Sequence, residues 1–102
     1  MNDNPIMLNL VEEILDICEP EKIILFSTKY NLSHEMTSFK LCVIVSDNSD
    51  INELEAQIYL ELECESPFDV VIYKSSVWEE LVDDDSSFAS KVSRTGVVLY
   101  EL

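Results

Sequence analysis

Apolar residues recur at helical spacing in the first part of the chain. Asn4 and Pro5 suit the N-cap and the first position of a helix. Asparagine accepts from backbone N–H groups there, and the N–H that proline lacks has no intrahelical partner at the first position. The pattern predicts a first helix that ends near Cys18 and turns an apolar stripe toward a core. That stripe consists of Ile6, Leu10, Ile14 and Ile17.

Two apolar runs with strand character follow this helix. Lys22–Ser27 is a short β-type run of the kind that is buried on both faces of a sheet, and it predicts the first strand. Thr28–Thr37 is polar, non-periodic and without glycine, and it predicts a loop. Ser38–Ser46 predicts a second strand, because its residues alternate. One face carries Phe39, Leu41, Val43 and Val45, and the other carries Lys40, Cys42 and Ile44.

The next stretch predicts a helix and then a third strand. Asp50 and Glu53 have the spacing of a capping box, so a second helix is expected over Ile51–Cys64. Phe68–Tyr73 then predicts a strand, because it is rich in β-branched and aromatic residues. This strand carries one carboxylate, Asp69, in otherwise apolar company.

The last part of the chain predicts two short helices and an apolar tail. Ser76–Glu79 fits another capping box and predicts a helix through about Val82. Ser86–Arg94 predicts a last helix, which Gly96 is expected to close as a C′ residue with left-handed backbone geometry. The tail, Val97–Tyr100, is expected to form a fourth strand or a docked extension.

The order of these elements predicts a topology. A strand, a helix and a strand in one small sheet most often form a right-handed parallel crossover, which would place residues 39, 41 and 69 at one end of the sheet. If the first strand is antiparallel to the second, the loop over residues 27–37 lies over the same end. We therefore expect an α/β (α+β) fold with a mixed sheet of three to four strands, helices packed on it, and a single domain over residues 1–102.

Composition narrows the classes of partner. The chain carries 21 acidic and 6 basic residues, for a formal net charge of −15. This charge repels phosphate backbones and anionic lipid headgroups, so neither direct nucleic-acid binding nor membrane binding is expected. It suits a basic partner surface, although a solvated acidic exterior would explain it as well.

Targeting and metal motifs are missing from the sequence. The three cysteines are widely spaced, without the Cys/His clusters of zinc sites. The first residues do not resemble a signal peptide, and no apolar run approaches the roughly 20 residues that cross a bilayer. We expect a cytoplasmic protein.

Several short segments, taken together, resemble a known enzyme family. Ile23–Lys29 is an apolar strand leading into Phe-Ser-Thr-Lys, Ser38–Cys42 enters the next strand, Phe68–Val71 contains an aspartate, and Gly96–Tyr100 forms the tail. In order and spacing these segments resemble the minimal nucleotidyltransferases of the DNA-polymerase-β-like superfamily. Members of that family carry Phe-Gly-Ser-Arg, Ser-Asp-x-Asp-Leu, Val-Asp-Val-Val-like and Gly-Val-Leu-Tyr-like segments in this order.

The resemblance implies a site whose chemical groups have been replaced. In the family, three carboxylates hold two magnesium ions that bridge the nucleoside triphosphate and activate the attacking hydroxyl. Phe39 and Leu41 stand where the first two carboxylates would be, and Asp69 keeps the third. Ser27 replaces the glycine that lets backbone N–H groups approach phosphates, and Thr28 keeps a hydroxyl. A single carboxylate is a poor magnesium site, so neither catalysis nor a resident cofactor is expected.

Some side chains keep alternative interpretations open. Glu35, His34 or Asp47 would have to supply the ligands of a relocated metal site. Lys29, with Ser27 and Thr28, is a weak candidate for nucleotide binding and otherwise a surface charge.

Two further charged residues near the expected site also have alternatives. Lys40 is either a partner of Asp69 or an exposed strand charge on the face opposite to the site. The alternative for Asp69 is a structural role, in which its carboxylate caps or hydrogen-bonds the loop at Ser27–Lys29.

The sequence thus favours a catalytically inactive nucleotidyltransferase-like domain, a pseudoenzyme that acts as an interaction or regulatory module. Small members of the family are often encoded beside a helical HEPN-type protein with which they form toxin–antitoxin pairs, so the resemblance implies such a partner. The alternatives are a divergent active nucleotidyltransferase using magnesium and ATP, and a nucleotide-binding sensor without turnover. A homodimer through the sheet edge or the apolar tail is a further possibility.

Overall fold

The protein has a mixed α+β fold, as the sequence predicts. A computed structural model describes residues 5–62, 64 and 66–102, and the N-cap predicted at Asn4 lies outside them. The described residues form four helices and a four-stranded sheet. In chain order these are α1 (Pro5–Ile17), β1 (Lys22–Tyr30), β2 (Met36–Val45), α2 (Ile51–Glu61), β3 (Phe68–Lys74), α3 (Ser75–Val82), α4 (Phe88–Thr95) and β4 (Val97–Glu101).

The sheet has the strand order β3-β2-β1-β4. β1 pairs antiparallel with both β2 and β4, and β2 pairs parallel with β3 across the α2 connection. The predicted parallel crossover and the antiparallel first pair are both confirmed, and the tail forms a fourth strand. None of the helices in the described part of the chain is long and apolar enough to cross a bilayer.

The prediction of a loop over residues 28–37 is wrong. β1 continues to Tyr30 and β2 begins at Met36, so residues 31–35 alone form the turn. The side-chain oxygen of Asn31 accepts from the backbone N–H groups of Ser33 and Glu35 at 2.9 and 3.0 Å and closes that turn. Polar residues form strands here because an antiparallel hairpin can expose its side chains to water while its backbone stays paired.

Helices cover both faces of the sheet and create two cores. On one face, α1 and α2 pack against the predicted apolar face of β2, and the cluster includes Ile14, Ile23, Leu25, Ile58 and Val70. On the other face, α3 and α4 pack against Ile24, Cys42 and Ile44, with Trp78 and Val92 contributed by the helices. The alternation predicted for β2 is therefore confirmed.

The ends of α2 follow the prediction only in part. The Asp50 carboxylate accepts from the backbone N–H of Glu53 at 3.2 Å, which confirms the predicted N-cap. The helix ends at Glu61, before the predicted end at Cys64. Leu62 leaves the helix with extended backbone, and its side chain is buried in the core.

The capping box predicted at Ser76–Glu79 is wrong. α3 begins at Ser75, and its N-cap residue Lys74 makes no side-chain capping bond. The acceptor comes instead from the loop after β2, where an Asp47 carboxylate oxygen accepts from the backbone N–H of Ser76 at 2.9 Å. An aspartate distant in sequence thus satisfies a backbone donor in the first turn of α3.

Gly96 does not have the predicted left-handed geometry. It follows α4, whose N-cap Ser87 accepts from the Ser90 N–H at 2.9 Å, and its φ and ψ of −78° and 166° are extended. A Cβ at this position would collide with the Ile24 side chain and lie 2.7 Å from the Val92 carbonyl oxygen. Close approach of α4 to β1, rather than a positive φ, is what requires glycine here.

Candidate functional site

Phe39 and Leu41 occupy the core at the positions where the resemblance places metal ligands. They are 1% and 0% exposed, and they point from β2 into the cluster between the sheet and helices α1 and α2. Their immediate surroundings are apolar, so neither position offers oxygen or nitrogen atoms to a cation.

Asp69 lies at the same end of the sheet but on the opposite face. In the parallel β2–β3 ladder, Phe39 pairs with Phe68 and Lys40 pairs with Asp69. Directly paired residues project to the same side of a sheet, so Asp69 lies on the face of Lys40, and both residues are exposed at that end. The prediction that residues 39, 41 and 69 share one end is confirmed, but the sheet itself separates the carboxylate from the other two positions.

Ser27, Thr28 and Lys29 belong to a strand and not to a phosphate-binding loop. After a register shift between Leu25 and Ser27, they pair with Lys40, Phe39 and Ser38. Ser27 and Lys29 therefore lie on the same face as Lys40 and Asp69, whereas Thr28 lies on the face of Phe39. In a strand their backbone groups serve the ladder, and an antiparallel hairpin offers no concave cluster of N–H groups to a phosphate.

Lys40 and Asp69 are neighbours in register without forming an ion pair. Among the described residues, a salt bridge joins Lys22 and Glu101 at 3.0 Å, and none joins Lys40 to Asp69. The interpretation of Lys40 as an exposed strand charge is consistent with its exposure.

The alternative metal ligands are not brought together. His34, with a φ of 65°, and Glu35 lie in the β1–β2 turn. Asp47 follows the other end of β2, where its hydrogen bond with Ser76 lowers the pKa of its carboxyl. Within residues 5–62, 64 and 66–102, no three His, Cys, Asp or Glu side chains form a group that could hold a metal ion.

An aromatic stack fills the end of the sheet where the site was expected. The rings of Phe39 and Phe68 are stacked with centroids 5.7 Å apart, and Tyr59 of α2 stacks on Phe68 at 5.3 Å. The sequence carries all three aromatic residues, but their alignment depends on the β2–β3 register and on the rotation of α2. We name Phe39, Phe68 and Tyr59 the aromatic stack.

A cleft of about 770 Å³ lies at the opposite end of the sheet. Its residues come from the end of α1, the connection to β1, the loop after β2, the start of α2 and the chain end. They include the apolar side chains of Leu15, Pro20, Leu54, Tyr100 and Leu102, and the carboxylates of Glu19, Glu21, Asp50 and Glu53. We name this feature the acidic cleft.

Sequence reasoning missed the acidic cleft, because no single segment contains it. Cys18 also lines it, and burial raises the pKa of this thiol. A protonated thiol is a weak nucleophile, so the cleft does not resemble a cysteine-based active site. The signal that was available is the density of acidic residues near the ends of three predicted elements.

Comparison of the chain with protein families, with curated proteins and with solved structures found no match.

Proposed function

We propose that this protein is a non-catalytic, nucleotidyltransferase-like domain that acts by binding another protein, as an interaction or regulatory module. The observation that carries the proposal is the complete burial of Phe39 and Leu41 among apolar side chains. Magnesium needs oxygen ligands, and the apolar side chains leave no space for them at these two positions.

The position of Asp69 supports the non-catalytic part of the proposal. Nucleotidyl transfer of the family type needs carboxylates that converge on a metal pair. Asp69 lies on the face opposite to Phe39 and Leu41, so it adds nothing to a site on their side.

The proposed partner is a basic protein surface. A net charge of −15 disfavours nucleic acid and favours a cationic partner. The resemblance suggests a helical HEPN-type protein, in an antitoxin-like role within a toxin–antitoxin pair.

A transfer assay tests the proposal. The protein is incubated with magnesium, each labelled nucleoside triphosphate and a HEPN-type candidate acceptor, and the expected result is no label on the acceptor. Asp69→Asn is compared with Asp85→Asn, which removes an exposed acid from the α3–α4 turn. Transfer that Asp69→Asn abolishes and Asp85→Asn preserves would overturn the proposal.

Calorimetric titration with magnesium–ATP tests the remaining alternative. We expect no heat of binding, because the residues at positions 27–29 are strand residues. Saturable binding without transfer would replace the interaction module by a nucleotide sensor.

A further inference from the structure

We propose that the acidic cleft binds a basic, amphipathic segment of a partner protein. The inference rests on the proposed function, since it names the surface and the partner chemistry of an interaction module. It concerns the end of the sheet opposite to the aromatic stack, and therefore a surface that the family resemblance does not assign.

The cleft offers an apolar floor. Leu15 of α1, Leu54 of α2 and Tyr100 of β4 contribute partly buried side chains to it, and the side chain of Leu102 at its margin is 87% exposed. Apolar surface that is open to water in this way favours the burial of apolar side chains of a ligand.

The charge at the cleft is of one sign. Every charged side chain that lines it in the described part of the chain is a carboxylate. Lys22, at the start of β1, does not line the cleft. Its Nζ forms a salt bridge with a carboxylate oxygen of Glu101 at 3.0 Å. The cleft therefore attracts cations and repels phosphates, carboxylates and nucleotides.

Two of the carboxylates accept hydrogen bonds within the fold, and the other two lie at the rim of the cleft. Asp50 accepts from the Glu53 N–H as the N-cap of α2, and Glu21 accepts from the Ser75 hydroxyl at 3.1 Å. The side chains of Glu19 and Glu53 lie at the solvent-exposed rim. Lysine or arginine side chains of a ligand can approach these two without breaking a contact of the fold.

An apolar floor with an acidic rim fits a segment that has Leu-type side chains on one face and Lys or Arg side chains on the other. A second copy of this chain does not fit, since its net charge of −15 repels the same field. An anionic ligand is excluded by the same argument.

Binding of a synthetic helical peptide tests the inference. The probe carries Leu on one face and Lys on the other, and its matched control carries Glu in place of Lys. Fluorescence anisotropy at physiological salt should show saturable binding of the Lys peptide alone, because salt at this concentration screens diffuse attraction. Equal binding of both peptides, or of neither, would overturn the inference.

Charge-matched variants distinguish peptide binding at the cleft from diffuse attraction to the acidic protein surface. The double variant Glu19→Gln with Glu53→Gln should raise Kd about tenfold, since it removes two rim contacts. The control Glu12→Gln with Glu80→Gln removes the same charge from exposed positions outside the cleft and should change Kd less than about twofold. Equal weakening by both double variants would show diffuse attraction and contradict the proposed site.

The apolar floor has its own control pair. Leu102→Ser should weaken peptide binding about fivefold, whereas Leu60→Ser, at a residue that is 84% exposed outside the cleft, should leave it unchanged. Both residues are exposed, so neither change should unfold the protein. If these variants bind equally and no nucleotide transfer occurs, the cleft inference fails while the proposed non-catalytic function stands. Transfer activity that depends on Asp69 would overturn that function independently.

Discussion

The phenol hydroxyl of Tyr59 accepts a hydrogen bond from the backbone N–H of Val70 at 2.9 Å. Tyr59 lies on α2 and Val70 lies on β3, which is an edge strand of the sheet. Edge strands present backbone donors that could pair with another chain. The tyrosine occupies one such donor while its ring covers Phe68, so α2 protects this edge as well as the core.

Removal of that hydroxyl should weaken the fold. We expect Tyr59→Phe to lower the free energy of unfolding by about 1 kcal/mol, because the Val70 N–H loses its partner while the ring remains stacked. Urea denaturation measures the change. Tyr30→Phe, at a tyrosine that is 57% exposed at the end of β1, is the control and should stay within about 0.5 kcal/mol of the parent. Equal effects of the two changes would remove the structural role given to the Tyr59 hydroxyl.

A carboxylate at position 39 should unfold the protein rather than create a metal site. Phe39→Asp deletes a fully buried ring and places a charge in an apolar cluster, which should cost several kcal/mol. Circular dichroism with and without magnesium measures the loss of structure. Lys40→Gln, at an exposed position of the same strand, should remain folded. A folded Phe39→Asp protein that magnesium stabilises would contradict the proposed function.

Gly96 should tolerate no side chain. Gly96→Ala should lower the free energy of unfolding by roughly 1–3 kcal/mol, because its methyl group would collide with the Ile24 side chain and the Val92 carbonyl. The φ of −78° is open to alanine, so the cost is steric. Thermal unfolding measures it, with the exposed Ser93→Ala of α4 as the control. An unchanged or higher Tm for Gly96→Ala would show that α4 and β1 are less closely packed.

The contact between Asp47 and Ser76 should make stability depend on pH. The hydrogen bonds that Asp47 accepts hold the pKa of its carboxyl below its usual value, so the contact stabilises the fold above the unfolded-state pKa and is lost as pH falls through the folded-state value. Asp47→Ala should therefore lower Tm at pH 7. The difference from the parent should shrink as pH falls below about 4.

The same pH series needs a control variant that removes a different acid and keeps the contact between Asp47 and Ser76. Asp85→Asn removes an exposed acid from the α3–α4 turn and should leave Tm at pH 7 nearly unchanged. A difference between Asp47→Ala and the parent that stays constant from pH 7 to about pH 3 would show that Asp47 acts through packing and not through its charge.

Sequence patterns predicted the elements better than their placement. The faces of β2 were predicted correctly, because Lys40 breaks an otherwise apolar strand and fixes the alternation. The sequence predicts the strands of the β1–β2 hairpin too short. Thr28 and Lys29 are polar and lack the apolar pattern of a strand, although their backbone is paired with β2. The density of acidic residues near the ends of elements is a signal for the acidic cleft, but the set of residues that line it depends on how several distant segments fold together.

The face of Asp69 was the hardest feature to predict. β3 carries apolar side chains on both faces, so its sequence does not indicate which way the aspartate points. The register with β2 decides it, and register depends on tertiary packing that a single strand does not encode.

The β2–β3 register also determines whether carboxylates at positions 39, 41 and 69 could share one metal site. Carboxylates introduced at positions 39 and 41 would still be divided from Asp69 by the thickness of the sheet. To bring all three carboxylates to one face, β3 would have to shift by one residue relative to β2. This shift would turn the side chains of Phe68, Val70 and Ile72 out of the core. Two point mutations at positions 39 and 41 would therefore not bring three carboxylates together on one face, because the register of an entire strand would also have to change.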